Sequence, residues 1–121
     1  DYNLFIVLKL FWGFLLFMLG QSLIWIQTNG QFIWPWFKKH PIAVSIITGS
    51  VISYIVIYAT RMVVEHFDGV LWPGRFIGFS SGMIVFALMT WAFMGEGVNV
   101  KTGISLVLAL ALIFVQIFVK A

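Results

Sequence analysis

The chain of 121 residues contains no cysteine, only 9% charged residues and only four acidic residues. The absence of cysteine excludes disulfides, thiolate metal sites and a cysteine nucleophile. Soluble domains carry about 25% charged residues, so this chain has too little polar surface to face water. The two histidines, His40 and His66, stand a full apolar run apart and do not have the spacing of a zinc site. No catalytic grouping or phosphate loop is present, so the sequence predicts no enzyme, no cofactor and no metal.

Apolar residues make up 62% of the chain and fall in four long runs, at residues 4–26, 42–64, 76–93 and 104–119. About 20 helical residues cross the ~30 Å hydrocarbon core of a bilayer. The runs therefore predict an all-α membrane protein, a four-transmembrane-helix bundle that forms a single domain over residues 1–121. The first run is longer than the apolar core of a signal peptide and lacks a small-residue cleavage site after it, so we interpret it as a retained helix.

The link between the first two predicted helices, FIWPWFKKHP at residues 32–41, combines aromatic and basic side chains. This composition is typical of a segment that lies in the headgroup layer. Pro41 and Pro73 suit the first turns of the second and third helices. Asn99 or Thr102 suits the cap of the fourth helix.

The net charge of +3 comes from basic residues at the ends of the apolar runs, which indicates membrane anchoring and no nucleic-acid partner. Four spans put four basic residues on one side and three on the other: Lys9, Arg61, Arg75 and Lys120 against Lys38, Lys39 and Lys101. So small a bias leaves two alternatives. Either copies insert both ways and pair antiparallel, or a partner protein or a preceding segment fixes the orientation.

Small residues recur on one face of three predicted helices, where close backbone approach holds helices together in lipid. We therefore expect tight helix contacts, within the chain or between subunits, at these positions: Gly13 and Gly20; Ser45, Gly49 and Ser53; Gly74, Gly78 and Gly82.

Two sets of polar residues are candidate binding sites. Neutral polar residues at membrane depth need a hydrogen-bond partner or a wet cavity, and Gln21, Ser53, Tyr54 and Tyr58 are candidate substrate-binding residues, with interhelical hydrogen bonds as the alternative. Two arginines at a membrane boundary are suited to a phosphate or carboxylate. Arg61 and Arg75 are thus candidates for headgroup or anion binding. The alternative is a network that anchors helix ends, with Arg61 paired to Glu65 one turn away.

Several short motifs carry a family resemblance. Residues 88–96 (LMTWAFMGE), followed by a polar turn and a last apolar helix, resemble the end of the third helix of small multidrug resistance transporters. These are four-helix members of the drug/metabolite transporter superfamily. Residues 20–23 (GQSL), followed by Trp34-Pro35, are similar to the end of the family's first helix and the start of its second. Gly82 falls where the family has a glycine.

The resemblance implies a small transporter that works as a dimer, but one family feature is missing. That family couples drug export to proton entry through a glutamate in the middle of the first helix, and the pattern carries this position onto Phe17. A phenylalanine cannot exchange a proton. We therefore expect an integral protein of the bacterial cytoplasmic (inner) membrane that binds or moves a small or lipid-linked molecule without that carboxylate. Its partners would be membrane lipids and a second copy. The alternative is a non-catalytic subunit of a larger membrane complex.

Overall fold

The structure, a computed structural model of the chain, describes residues 2–120 and, within them, every side chain except those of residues 2, 3 and 6. The elements in chain order are α1 (Tyr2–Asn29), a 3-10 turn (Gly30–Phe32), α2 (Pro35–Lys39), α3 (Pro41–His66), α4 (Trp72–Met94) and α5 (Val100–Phe118). By length and composition, α1, α3, α4 and α5 are long and apolar enough to cross a membrane. The prediction of an all-helical chain with four such helices is confirmed.

Each long helix extends past at least one end of its predicted apolar run, because helical hydrogen bonding continues into the polar flanks. Pro41 and Pro73 lie in the first turns of α3 and α4, where a missing N–H leaves no bond unmade. Gly95 ends α4 with φ at +69°, a left-handed conformation that glycine adopts without strain. The side chain of Asn99 caps α5, since its oxygen accepts a hydrogen bond of 2.8 Å from the backbone N–H of Thr102.

α1 is the central helix, and both α3 and α4 pack against it more extensively than against each other. The buried centre of the bundle consists of Phe17 from α1, Ala59 and Val63 from α3, and Ile77 from α4. α5 contacts α4, and Ala109 is its one buried residue among those described. The bundle is therefore a three-helix core with a fourth helix attached to its side.

Two glycines of α1 allow its close contact with α3. A Cβ added at Gly13 would lie 2.8 Å from a methyl group of Val63, and one added at Gly20 would lie 3.3 Å from Val56. Real Cβ atoms do not approach as closely as the first distance, so α1 and α3 can meet there only because residue 13 is glycine.

Within the described part of the chain, only one of the three small residues of the second predicted helix faces a neighbouring helix, and contacts between subunits stay a prediction. Gly49 faces α1, with the side chain of Gln27 as its nearest neighbour, but Ser45 and Ser53 are exposed. The hydroxyl of Ser45 donates to the carbonyl of Pro41 at 2.8 Å, so it is satisfied within its own helix and needs no neighbouring helix. Residues four apart in a helix are also rotated by about 40° from each other about its axis. The three small residues therefore do not all lie on one face of α3.

Two buried side-chain hydrogen bonds join helices that are distant in sequence. The indole N–H of Trp25 donates to the hydroxyl of Thr90 at 3.0 Å and links α1 to α4. The hydroxyl of Ser80 donates to the carbonyl of Ala109 at 2.7 Å and links α4 to α5. Since lipid offers neither donors nor acceptors, such bonds fix the rotation of each helix about its axis.

Candidate functional site

A groove of about 700 Å³ runs along the bundle between α3 and α4, with α1 as its floor. The floor consists of Phe17, Gln21 and Ile24, and one wall is formed by Val56 and Thr60 of α3. The other wall is α4, which contributes Leu71, Gly74, Arg75, Gly78, Phe79, Gly82, Met83 and Phe86. The groove exists because α3 and α4 both lie on α1 but have little contact with each other. Its volume is that of a small-molecule site.

Gln21 is the polar residue on the floor of this groove, one turn after Phe17 and eight residues before the end of α1. Its side-chain amide lies directly over Gly82, where an added Cβ would be 2.8 Å from the amide oxygen Oε1. Nε2 donates to the carbonyl of Gly78 at 3.2 Å. A carbonyl can only accept, so this bond assigns the NH₂ end of the amide.

The other end of the Gln21 amide is left without a donor. None of the described residues donates a hydrogen bond to Oε1, and this oxygen is not a buried atom lacking a partner. It is therefore partly accessible, and Gln21 lines both the groove and a smaller cavity of about 80 Å³ next to it. Gln21 thus offers an acceptor held in a fixed orientation, and the two glycines of α4 create the space for it.

Two further polar groups line the end of the groove nearest the α3–α4 turn. Arg75, in the first turn of α4, is exposed and makes no ion pair or hydrogen bond through its side chain with the described residues. Thr60 lies on the opposite wall, and its hydroxyl likewise has no partner in that part of the chain. Gly74 lies beside Val63, so Thr60 and Arg75 stand within about 3 Å of each other in height along the helix axes.

The groove therefore has a cationic end and a neutral acceptor deeper inside. Arg75 precedes Gly82, which lies under the Gln21 amide, by seven residues of α4. At 1.5 Å per residue this is about 10 Å along the helix axis. The surface between the two levels is apolar, with Phe17 and Phe79 prominent.

The structure separates the other predicted substrate-binding residues from Gln21. Tyr54 and Tyr58 are 64% and 40% exposed and point away from the groove, and their rings contact each other at 5.3 Å. Ser53 lies seven residues before Thr60 and shares its side of α3, yet it does not line the groove. Ser53 lies about 10 Å from Thr60 along the helix axis, whereas the two tyrosines face outward because the contacts of α3 with α1 run through Ala59 and Val63.

The two arginines are also separated. Arg61 lies over the ring of Tyr58 at 4.9 Å, on the outward face of α3, and not in the groove. The Arg61–Glu65 pair, which was the alternative, is not formed. Lys9 of α1 pairs with Glu65 at 3.3 Å, because the closely packed α1 brings an ammonium group to that carboxylate.

Phe17, where the family resemblance expects the proton-carrying glutamate, is 4% exposed. Its ring packs on Gly78, where an added Cβ would lie 3.1 Å away. The position is thus part of the floor of the groove and of the packed core at once. A residue of this kind holds α1 against α4 and offers no group that can bind a proton.

Thr60 is the groove residue that the sequence did not reveal as a candidate. The signal was weak, since a threonine within an apolar helix commonly bonds to its own backbone. Among the described residues no group of three His, Cys, Asp or Glu side chains that could hold a metal is found. Comparison with protein-family models, with curated proteins and with solved structures finds no match, so the groove itself is the basis for any functional conclusion.

Proposed function

We propose that this chain is an integral membrane protein that binds a small or lipid-linked molecule in the groove over α1 and moves it in the manner of a small transporter. Four helices long and apolar enough to span a bilayer support the location. Under this proposal the aromatic and basic residues of α2 lie in the headgroup layer, where side chains of both kinds are favoured.

The observation that carries this proposal is the unpaired oxygen of Gln21. A polar group at membrane depth must be satisfied by protein, water or ligand, and the described residues leave this oxygen without a donor. The position of Phe17 in the core supports a cycle that does not exchange protons at the middle of α1.

Cysteine labelling in proteoliposomes tests whether water reaches the groove. The native chain has no cysteine, so only the introduced residue can react. Met83 lines the groove, whereas Leu108 of α5 is 63% exposed on the outside of the bundle. A charged methanethiosulfonate is expected to modify Met83→Cys and to leave Leu108→Cys in lipid unmodified. Equal labelling of the two positions, or no labelling of either, would contradict a wet groove.

Flux measurements then test transport itself. A fluorescent lipid and a panel of small organic acids, amines and neutral solutes are measured in proteoliposomes with the native chain and with Gly82→Ala. The added methyl group displaces the Gln21 amide, which is the end of a flexible side chain, so the fold is retained while the groove changes. Flux of any member that falls in the variant supports the proposal. A folded protein that moves none of them refutes transport.

A second candidate function, a non-catalytic subunit of a larger membrane complex, is favoured by the outward face of α3. The hydroxyls of Tyr54 and Tyr58 make no hydrogen bond within the described part of the chain, although both residues lie within a predicted span. Hydrocarbon cannot satisfy them, whereas a second protein can. Purification in mild detergent distinguishes the candidates: other chains at fixed stoichiometry support the subunit, and a homodimer supports the transporter.

A further inference from the structure

We infer that the ligand of the groove is an amphipathic acid, with an anionic group at one end of an apolar body and a hydroxyl or N–H donor about 10 Å from it along the groove. This inference rests on the proposed function and adds the chemical class of the molecule. It follows from three groups that the described residues leave unpaired: Arg75, Thr60 and the oxygen of Gln21.

The sign of the charge follows from Arg75. Its guanidinium has no acidic partner among the described residues, and no acidic side chain lines the groove. Of the other basic residues on this side of the bundle, Lys9 is paired with Glu65, whereas Arg61 and Lys120 do not line the groove. A guanidinium binds carboxylate or phosphate through two parallel hydrogen bonds, and the Thr60 hydroxyl on the facing wall can donate a third.

The donor on the ligand follows from the Gln21 amide. Nε2 donates to the Gly78 carbonyl, whereas Oε1 accepts no hydrogen bond from the described residues. This oxygen is therefore an acceptor to which a ligand can donate. A hydroxyl or N–H finds one fixed acceptor in surroundings that are otherwise apolar.

The apolar body follows from the surface between these two levels. Phe17 and Phe79 line the groove between Arg75 and Gln21, and apolar surface binds apolar surface by excluding water. The groove opens to the outside of the bundle between α3 and α4. A single-chain acid dissolved in the bilayer can therefore enter sideways and place its head at Arg75.

A set of matched probes tests this class on the native chain in phosphatidylcholine nanodiscs. The lead probe is radiolabelled stearate with a hydroxyl at mid-chain. Plain stearate lacks the donor, the methyl ester of the hydroxylated acid lacks the charge, and a hydroxylated stearyl amine reverses it. We expect the hydroxylated acid to bind about threefold to tenfold tighter than stearate, and at least about tenfold tighter than its ester or the amine.

Variants assign each preference to its residue. In Arg75→Gln the protein should bind acid and ester equally well. Arg61 lies outside the groove, so the matched control Arg61→Gln should still prefer the acid. In Gln21→Leu the preference for the hydroxyl should vanish while the preference for the acid remains. Circular dichroism and the size-exclusion profile establish that each variant is folded.

The outcomes separate this inference from the function on which it rests. Equal binding of acid and ester, or tighter binding of the amine, overturns the amphipathic acid but leaves a binding groove. The amphipathic acid is also overturned if phosphatidylglycerol displaces the probe and Gln21→Leu has no effect. This result would show that the groove binds only the anionic headgroup of a lipid. If no probe binds and Met83→Cys is not labelled, the proposed function fails as well.

Discussion

Gly13 offers the sharpest test of how α1 and α3 are held together. A Cβ added there would lie 2.8 Å from a methyl group of Val63, 3.3 Å from the Cβ of Met62 and 3.4 Å from the backbone carbonyl of Ala59. Val63 is fully buried, and the other two atoms are fixed to the backbone of α3. None of them can rotate away, so in Gly13→Ala the two helices must separate or shift.

Two opposing effects set the size of the change in stability. Overpacking of a tight contact costs about 1–3 kcal/mol. Replacement of glycine by alanine within a helix returns roughly 0.5–1 kcal/mol. We therefore expect Gly13→Ala to lower the free energy of unfolding, by up to about 2.5 kcal/mol.

Gly49 is the matched control on the facing helix. An added Cβ there meets only the side-chain nitrogen of Gln27, at an ordinary contact distance of 3.9 Å. Gly49→Ala should leave stability unchanged or raise it by up to about 1 kcal/mol. Both variants are compared with the native chain by reversible unfolding in mixed micelles with sodium dodecyl sulfate, followed by far-UV circular dichroism.

A double-mutant cycle with Val63→Ala decides whether the predicted contact is the cause. Removal of the valine methyl groups gives the new alanine room, so the two substitutions should compensate each other by about 0.5–3 kcal/mol. Strictly additive effects, or a Gly13→Ala variant as stable as Gly49→Ala, would refute the reasoning that this glycine sets the distance between the helices.

Three further predictions concern the bonds between helices. Trp25→Phe removes the indole donor to Thr90 and should cost about 0.6–1.7 kcal/mol, the range for hydrogen bonds within membranes; unfolding measurements should show that the loss disappears in a Thr90→Val background. Ser80→Ala removes the bond to the Ala109 carbonyl and should speed hydrogen exchange in α5 more than in α1, as measured by mass spectrometry; equal acceleration in both helices would contradict the local role. Glu65→Gln removes the partly exposed ion pair with the lysine of α1 and should change stability by less than about 1 kcal/mol, with a difference from the native chain that shrinks as salt is added.

The number and approximate ends of the long helices could be predicted because bilayer thickness and elementary capping rules fix them. Pro41 and Asn99 are found at the helix starts where their chemistry places them. The helices begin and end up to four residues beyond the apolar runs, as at Trp72 and Val100. Hydropathy records where side chains prefer lipid, whereas backbone hydrogen bonding decides where a helix stops.

The faces of the helices could not be predicted to the same degree. A helix that is apolar all round has no amphipathic signal, so nothing in α3 distinguishes the side of Tyr54 from the side of Thr60. Gln21 could be singled out as a polar residue at depth, but its exposed oxygen depends on where α4 places Gly78 and Gly82.

The partner of a charged side chain could not be predicted from the sequence for a similar reason. Arg61 and Glu65 have the spacing of a helical ion pair, yet Lys9 takes the carboxylate. The lysine stands 56 residues away in sequence, and its arrival depends on the close approach of α1 at Gly13. The spacing within one helix shows only which partners that helix can offer to Glu65, whereas the partner it takes comes from the neighbouring helix.

The unequal contacts of the helices have a consequence for synthesis. α1 and α3 are consecutive spans with the most extensive contact in the bundle, so this antiparallel pair can assemble as soon as both have left the translocon. α4 then docks along the exposed side of α1, and α5, whose helix contacts lie with α4, arrives last. Domains are made from the N-terminus at about 5–20 residues per second, so a ribosome stalled once residue 66 has left the translocon should already hold a protease-resistant helical hairpin.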